Sequence, residues 1–314
     1  PNDIDSYVIM KGPEATALYG SAGASGAILI TTKKGKAGRG SINYNNSFRV
    51  EELNKFPEIQ TKYNTGVSNG VYNSGTSNFF GPAYLPTTPL YDNMHNFFET
   101  GFTQKHNLSF EGGTDKFSYR WSNEYTDSKG TIPTTSYTRI SSRVTAVGTI
   151  SPILKLTTTF NYINSNNDKA NKGANGSLLQ LMRFSSAYDV RDYQDANGNR
   201  ILHHASIYAE FDNPLWDVVK NVNNDKDNRF IANTNIELTP TKWLRVNGII
   251  GADIANTKGL SVYHAQSYRG SGSAATPTGG TVMTYDKLAK VFSGSLTASA
   301  KHKFGDFNNT YVIG

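Results

Sequence analysis

Cysteine is absent from the 314 residues, which excludes a disulfide framework and thiolate-ligated zinc. No apolar run approaches the roughly 18 residues of a membrane helix. A membrane strand escapes that test, because only every second residue meets lipid and its sequence looks half polar. Catalytic spacing is missing too. The six histidines, His95, His106, His203, His204, His264 and His302, form no H-E-x-x-H or comparable pattern. His203 and His204 are adjacent and would point to opposite faces of a strand. Asp195-Ala196-Asn197-Gly198-Asn199 has the outline of a calcium loop but lacks its downstream glutamate, and an Asn-Gly turn explains it better. No Ser-His-Asp, Cys-His or paired-carboxylate arrangement stands out. The chain therefore reads as a non-enzyme with no metal and no cofactor.

Charge of one sign is only mildly in excess, +6 formally, with an isoelectric point near 9.2. Lys and Arg are spread along the chain except for one cluster at Lys33–Arg39, which argues against a nucleic-acid footprint. Aromatic residues are plentiful at 12%, with 18 Tyr and 16 Phe, as suits the interfacial girdles of a membrane barrel or the core of a soluble sandwich. Mean hydropathy is −0.49.

Residues 8–36 carry the most specific pattern. The apolar run Val8, Ile9, Met10 ends at Lys11-Gly12-Pro13, and Pro13 suits the first turn of a helix. Ala15 to Tyr19 can form a short helix that Gly20 closes in the left-handed conformation. After small residues to Gly26, Ala27 to Thr32 reads as a buried strand. Gly20, Gly23 and Gly26 give G-x-x-G-x-x-G, which is not the dinucleotide fingerprint, and they precede a strand rather than a helix.

This stretch resembles the end of the plug domain of TonB-dependent outer-membrane transporters. The resemblance rests on Lys11, Gly12, Pro13, Leu18, Tyr19, Gly20, Ala24, Gly26 and the strand Ile28–Ile30. Lys11, Ala27 and the ending ITTKKGK point to the SusC/RagA branch of the Bacteroidota. The resemblance implies a barrel in the cell outer membrane and a plug closing its lumen. It also implies coupling to the TonB complex through a region N-terminal to these residues, and a SusD-like lipoprotein over the extracellular loops. The cargo it implies is a glycan or a peptide. An outer-membrane barrel for adhesion or protein secretion, without TonB-driven uptake, is the alternative. With no signal peptide and a start inside the motif, the chain is read as a piece of a longer protein.

From residue 41 the period becomes two. Ile42, Tyr44, Phe48 and Val50 alternate with Asn43, Asn45, Ser47 and Arg49; Phe117, Tyr119, Trp121 and Tyr125 alternate with Ser118, Arg120, Ser122 and Glu124. About nine strands can be counted, with short turns near 113, 150, 240 and 305. Longer loops are expected at 51–104, 127–137, 167–228 and 257–288, the asymmetry typical of outer-membrane barrels. Arg120, Glu124, Arg139, Arg143 and Lys155 share the polar face and are expected in a wet lumen, since a sandwich core would penalise them. The expected fold is all-β: about 9 of the roughly 22 antiparallel strands of a plugged transmembrane β-barrel, preceded by the strand-helix-strand end of an α/β plug. The boundaries are 1–40 for the plug part and 41–314 for the barrel part. In the long loops, Phe80, Tyr84, Tyr91, Tyr188 and Trp216 are candidate substrate contacts, because aromatic faces stack on sugars and fill peptide pockets. The same residues could instead pack the loops against one another. Ser177–Phe184 has the apolar spacing of a short helix.

Overall fold

The computed structural model describes residues 2–64, 66–68, 71–72, 80–173, 176–203, 211–268, 279–304 and 307–314. Its first element is a small β-α-β unit. Strand β1 (Ile4–Met10) pairs antiparallel with β2 (Ala27–Thr32), with Ile9 opposite Ile28 and Met10 opposite Ala27. Between them lie helix α1 (Gly12–Tyr19) and a 3-10 turn at Gly20–Gly23. Pro13 occupies the first turn as expected, and the N–H of Gly20 donates to the Thr16 carbonyl. Gly20 does not take the left-handed helical conformation. Its φ is +61° but its ψ is −148°, a region open essentially to glycine alone. Gly23 answers a different need: a Cβ there would sit 2.4 Å from the Ala15 carbonyl oxygen.

The rest is built on one antiparallel sheet. Among the described residues it has nine strands. These are β3 (Gly38–Glu51), β6 (Gly101–Gly113), β7 (Phe117–Lys129), β8 (Ser136–Ser151), β9 (Leu154–Asp168), β10 (Val222–Thr241), β11 (Leu244–Tyr263), β12 (Thr281–Phe304) and β13 (Phe307–Ile313). A two-residue hairpin, β4 (Val67–Ser68) with β5 (Val71–Tyr72), lies apart from it. Each of the nine strands pairs with its sequence neighbours in the sheet, an unbroken meander with β3 and β13 as its edges. The sheet is not closed on itself.

Register makes the sheet two-sided. One cross-strand row reads Ile42, Phe110, Trp121, Val144, Phe160, Ala232, Ala252, Phe292. The row one residue along, on the opposite face, reads Ser41, Glu111, Arg120, Thr145, Thr159, Asn233, Gly251, Ser293. The period of two thus holds across eight strands, and it places aromatic pairs such as Phe110–Trp121 (centroids 5.6 Å apart) and Phe160–Phe230 (6.1 Å) on the apolar face.

Several strands are longer than their apolar alternation shows. β10 starts at Val222 rather than near 229, β11 runs to Tyr263 rather than 256, and β12 starts at Thr281 rather than 289. The extra residues include Asn223, Asp225, Asp227, Lys258 and Asp286, polar positions that interrupt the apolar alternation. Side-chain bonds across the ladder hold them, including Thr257 to Asp227 and Asn256 to Asp286. The connections are correspondingly shorter than expected, and the one at 127–137 shrinks to residues 130–135. The turn expected near Gly305-Asp306 lies outside the described residues.

The apolar core is not in the sheet. Met94, Phe97, Leu181, Phe184, Val190 and Val218 cluster within the long connections, flanked by Phe56, Ile59, Phe98 and Leu215. Three short helices supply most of it: α2 (Asn93–Phe97), α3 (Ser177–Arg183) and α4 (Pro214–Lys220). The helix expected at 177–184 is α3. No described helix is long and apolar enough to cross a membrane, which says nothing of a β-barrel.

Candidate functional site

Two regions frame the polar face of the sheet. At one end the β-α-β unit lies against it. Arg120 on β7 reaches Glu111 on β6 at 2.9 Å and Asp3 of the unit at 3.3 Å. Arg143 on β8 donates to the Thr32 hydroxyl at 2.9 Å. Arg120 is only 7% exposed, so it does not stand in the wet surroundings expected from the alternation. The covering unit is remote in sequence, and no local pattern signals it. The contact is incompletely bonded: Arg120 Nε, Arg143 Nε and Ser109 Oγ are buried without a partner. Each such orphan costs on the order of 1–3 kcal/mol, so the unit is held by a few polar contacts against a real desolvation penalty. Beside it opens a cleft of about 900 Å³ lined by Asp5, Thr32, Lys33, Lys36, Glu111 and Arg120 among others. Lys33, Lys34 and Lys36 of the basic cluster line this cleft.

The motif residues have separable roles. Lys11 is exposed and its carbonyl accepts from the N–H of Ala15, starting the helix. Gly12 and Gly26 sit at close approaches, where a Cβ would lie 2.7 Å from the Ala24 oxygen and 2.9 Å from the Met10 oxygen. Gly26 also has φ of +96°. Leu18 and Tyr19 belong to the last turn of α1, but their side chains lie outside the described set. Gly12, Gly23 and Gly26 thus serve close backbone packing, whereas Gly20, with open space where a Cβ would lie, serves the chain conformation.

The second region is the cap of long connections. Asn93 ties two of them together: its side-chain amide donates to the carbonyls of Tyr188 (2.9 Å) and Ser185 (3.3 Å), and its oxygen accepts from the N–H of Val190 (2.9 Å). Asp92 caps α2, and the His95 backbone N–H it accepts holds its carboxyl below the ordinary range. Arg200 and Asp212 form an enclosed ion pair at 2.5 Å, with side chains 5% and 2% exposed. Burial pushes Asp212 up to about 6 even though Arg200 and the Tyr268 N–H oppose the shift. Asp217 is likewise raised by burial, while accepting from the amides of Asn171 and Asn221.

The candidate aromatic residues fare differently. Trp216 is fully buried, donates through Nε1 to Ser267 at 2.8 Å and meets the His264 ring edge-on. It has no surface to offer a ligand, because the loops need a core and a Trp at the N-terminus of α4 provides it. Tyr84 hydrogen-bonds Ser185 at 3.0 Å, and Tyr188 packs on His203, with ring centroids 4.9 Å apart. Tyr91 lines a groove of about 510 Å³ with Phe56, Ile59, Met94 and Phe184. Phe80 is 74% exposed and has φ of +72°. These four retain accessible surface, and Tyr84 and Tyr91 both bond the 185–186 segment beside Tyr188. His203 donates through Nε2 to the Asp192 carbonyl at 2.7 Å, while His204 lies outside the described residues. The Asp195 carboxylate is occupied by the N–H groups of Asn197 and Asn199 in a turn with Gly198 at φ of +80°.

No family model matches the chain. Among curated proteins it is 29% identical over 293 residues to the TonB-dependent receptor SusC of Bacteroides thetaiotaomicron, covering 85% of this chain and 28% of that protein. It is 30% identical over 132 residues to the TonB-dependent receptor P3 of Formosa agariphila, covering 42% of this chain and 12% of that one. Among solved structures, the RagAB peptide importer in its closed-closed state superposes with a TM-score of 0.72 at 21% identity, over 99% of this chain and 38% of that chain. Its open-open state gives 0.70. The chain thus spans little more than a quarter of the curated SusC relative, and at these identities the structural likeness establishes the fold.

Proposed function

Because the chain belongs to the SusC/RagA type of TonB-dependent receptors, we propose that the whole protein imports a glycan or peptide nutrient across the outer membrane. Residues 1–40 are then the end of the plug and 41–314 barrel wall, with the apolar face toward lipid and the polar face lining the lumen. The observation that carries this reading is the β-α-β unit seated on the polar face through Arg120, Glu111 and Asp3. A packed unit on the inner wall obstructs a conduit, which suits gated passage and has no purpose in an adhesin. Its sparse, partly unsatisfied contacts suit a plug that is displaced by work done from the periplasm. TonB is the source of that work, and a SusD-like lipoprotein over the capped loops is the partner we assign outside.

Uptake by cells expressing the full-length protein tests this, with fluorescent oligosaccharides and oligopeptides offered in the presence and absence of functional TonB. Accumulation of at least one probe that stops when TonB is inactivated is the expected result. Surface binding without TonB-dependent accumulation would favour the adhesion reading.

A further inference from the structure

One lumen-side row has a composition unlike the others. It runs Arg49, Thr103, Ser128, Tyr137, Asn167, Asp225, Gly259, Tyr285, one residue per strand from β3 to β12. It lies on the same face as Arg120, eight residues along β7 from it. Tyr285 lies flat on the sheet: a Cβ at Gly259 would fall 1.9 Å from its Cε1 and 2.2 Å from its Cζ. Its hydroxyl donates to Asp225 at 2.6 Å, so the ring is fixed at both ends. The residue is still 51% exposed, which leaves the second ring face open.

We propose that Tyr137, Asn167, Asp225 and Tyr285 form a subsite on the barrel wall for a neutral oligosaccharide. The proposal rests on the import reading above and narrows its cargo. The face of a pyranose ring presents C–H groups that suit the negative face of an aromatic ring. Its edge presents hydroxyls that both donate and accept. Asn167 offers both functions and makes no side-chain bond among the described residues, and Asp225 adds acceptor lone pairs.

The row is also electrically quiet where it matters. Asp225 is already paired with Lys169, so a charged ligand gains little there. A peptide would have to be read by side chains alone, because the flanking backbone is committed to ladders on both sides and strand addition needs a free edge. Tyr137 and Tyr285 are four strands apart, about 19 Å along the row at the usual strand spacing, which matches an extended chain of several linked rings.

Titration calorimetry on the full-length protein tests the subsite, with maltohexaose, xylohexaose and laminarihexaose as saccharide probes and an uncharged hexapeptide as control. At least one saccharide should bind. Tyr285→Ala should weaken it roughly ten-fold, the scale of a lost aromatic stack, and Asn167→Ala, which leaves the ring in place, several-fold. Tyr285→Phe keeps the ring over Gly259 and should stay within about three-fold, since it loses one hydrogen bond of modest net worth. Unchanged affinity in both Tyr285→Ala and Asn167→Ala would overturn the subsite, as would binding of the peptide alone or of no saccharide. TonB-dependent uptake of a peptide alongside such a result would leave the import reading standing.

Discussion

Replacing Trp121 with arginine separates a membrane wall from a soluble sheet. Trp121 is the third residue of the eight-strand apolar row, stacked on Phe110 and donating through Nε1 to Ser142 at 2.9 Å. It is 45% exposed, so in water its replacement would cost about 1 kcal/mol or less from the lost stack and hydrogen bond, partly offset by hydration of the new charge. In lipid the same change adds about 2–4 kcal/mol for a cation near the bilayer midplane. The lost stack contributes roughly 0.5–1.5 kcal/mol and the lost hydrogen bond about 1. The total expected in a bilayer is therefore about 4–6 kcal/mol. Trp121→Phe keeps the stack and should cost about 1 kcal/mol. Folding equilibria of the full-length protein in lipid vesicles, followed by heat-modifiable gel mobility, measure both variants. A cost for arginine no greater than that for phenylalanine would refute a lipid-facing apolar row.

Three further outcomes follow from the geometry. Gly23→Ala should force apart α1 and its turn, because the added Cβ meets Ala15 backbone at 2.4 Å; increased entry of bulky antibiotics in cells carrying the variant is the readout, and unchanged exclusion would count against that close approach. A cysteine at Asn197, an exposed turn residue, should react with an impermeant reagent on intact cells; labelling only after outer-membrane lysis would invert the topology. Asp212 has a folded pKa raised to about 6 from 3.8, so the native loops bind the extra proton, and its contribution to stability is present below about pH 4 and lost as pH rises through 6. The difference is on the order of 3 kcal/mol, readable as a falling thermal midpoint of Trp216 fluorescence with the other tryptophans replaced by phenylalanine. Asp212→Asn should flatten that dependence while destabilising the loops, since the enclosed Arg200 loses this carboxylate; an undiminished slope would contradict the assignment.

The wall was readable because alternation is a local signal. Phe117, Tyr119, Trp121 and Tyr125 declare a face within nine residues, and the nine strands follow from repeating that reading. The polar strand ends were not readable: Asn223, Asp225, Lys258 and Asp286 look like loop residues until cross-strand partners are known. The glycine pattern at 12–26 pointed to tight backbone packing, while the conformation of Gly20 depends on ψ, which no residue identity sets. Arg120 looked like a solvated charge because its partner Asp3 is 117 positions away. Trp216 looked like a ligand platform for a similar reason, since loops long enough to need their own core do not show which aromatic will fill it. Tyr285 gave no signal at all, as its role depends on a glycine across the ladder.

The most direct test of a plug seated on a barrel wall is the conductance of the full-length protein in planar bilayers, compared with a variant lacking the whole plug through Thr32. The intact protein should be electrically silent, and the deletion should open large, steady pores, because the unit anchored by Arg120 and Arg143 no longer occupies the conduit. Equal conductance of the two proteins, whether both silent or both open, would contradict the account.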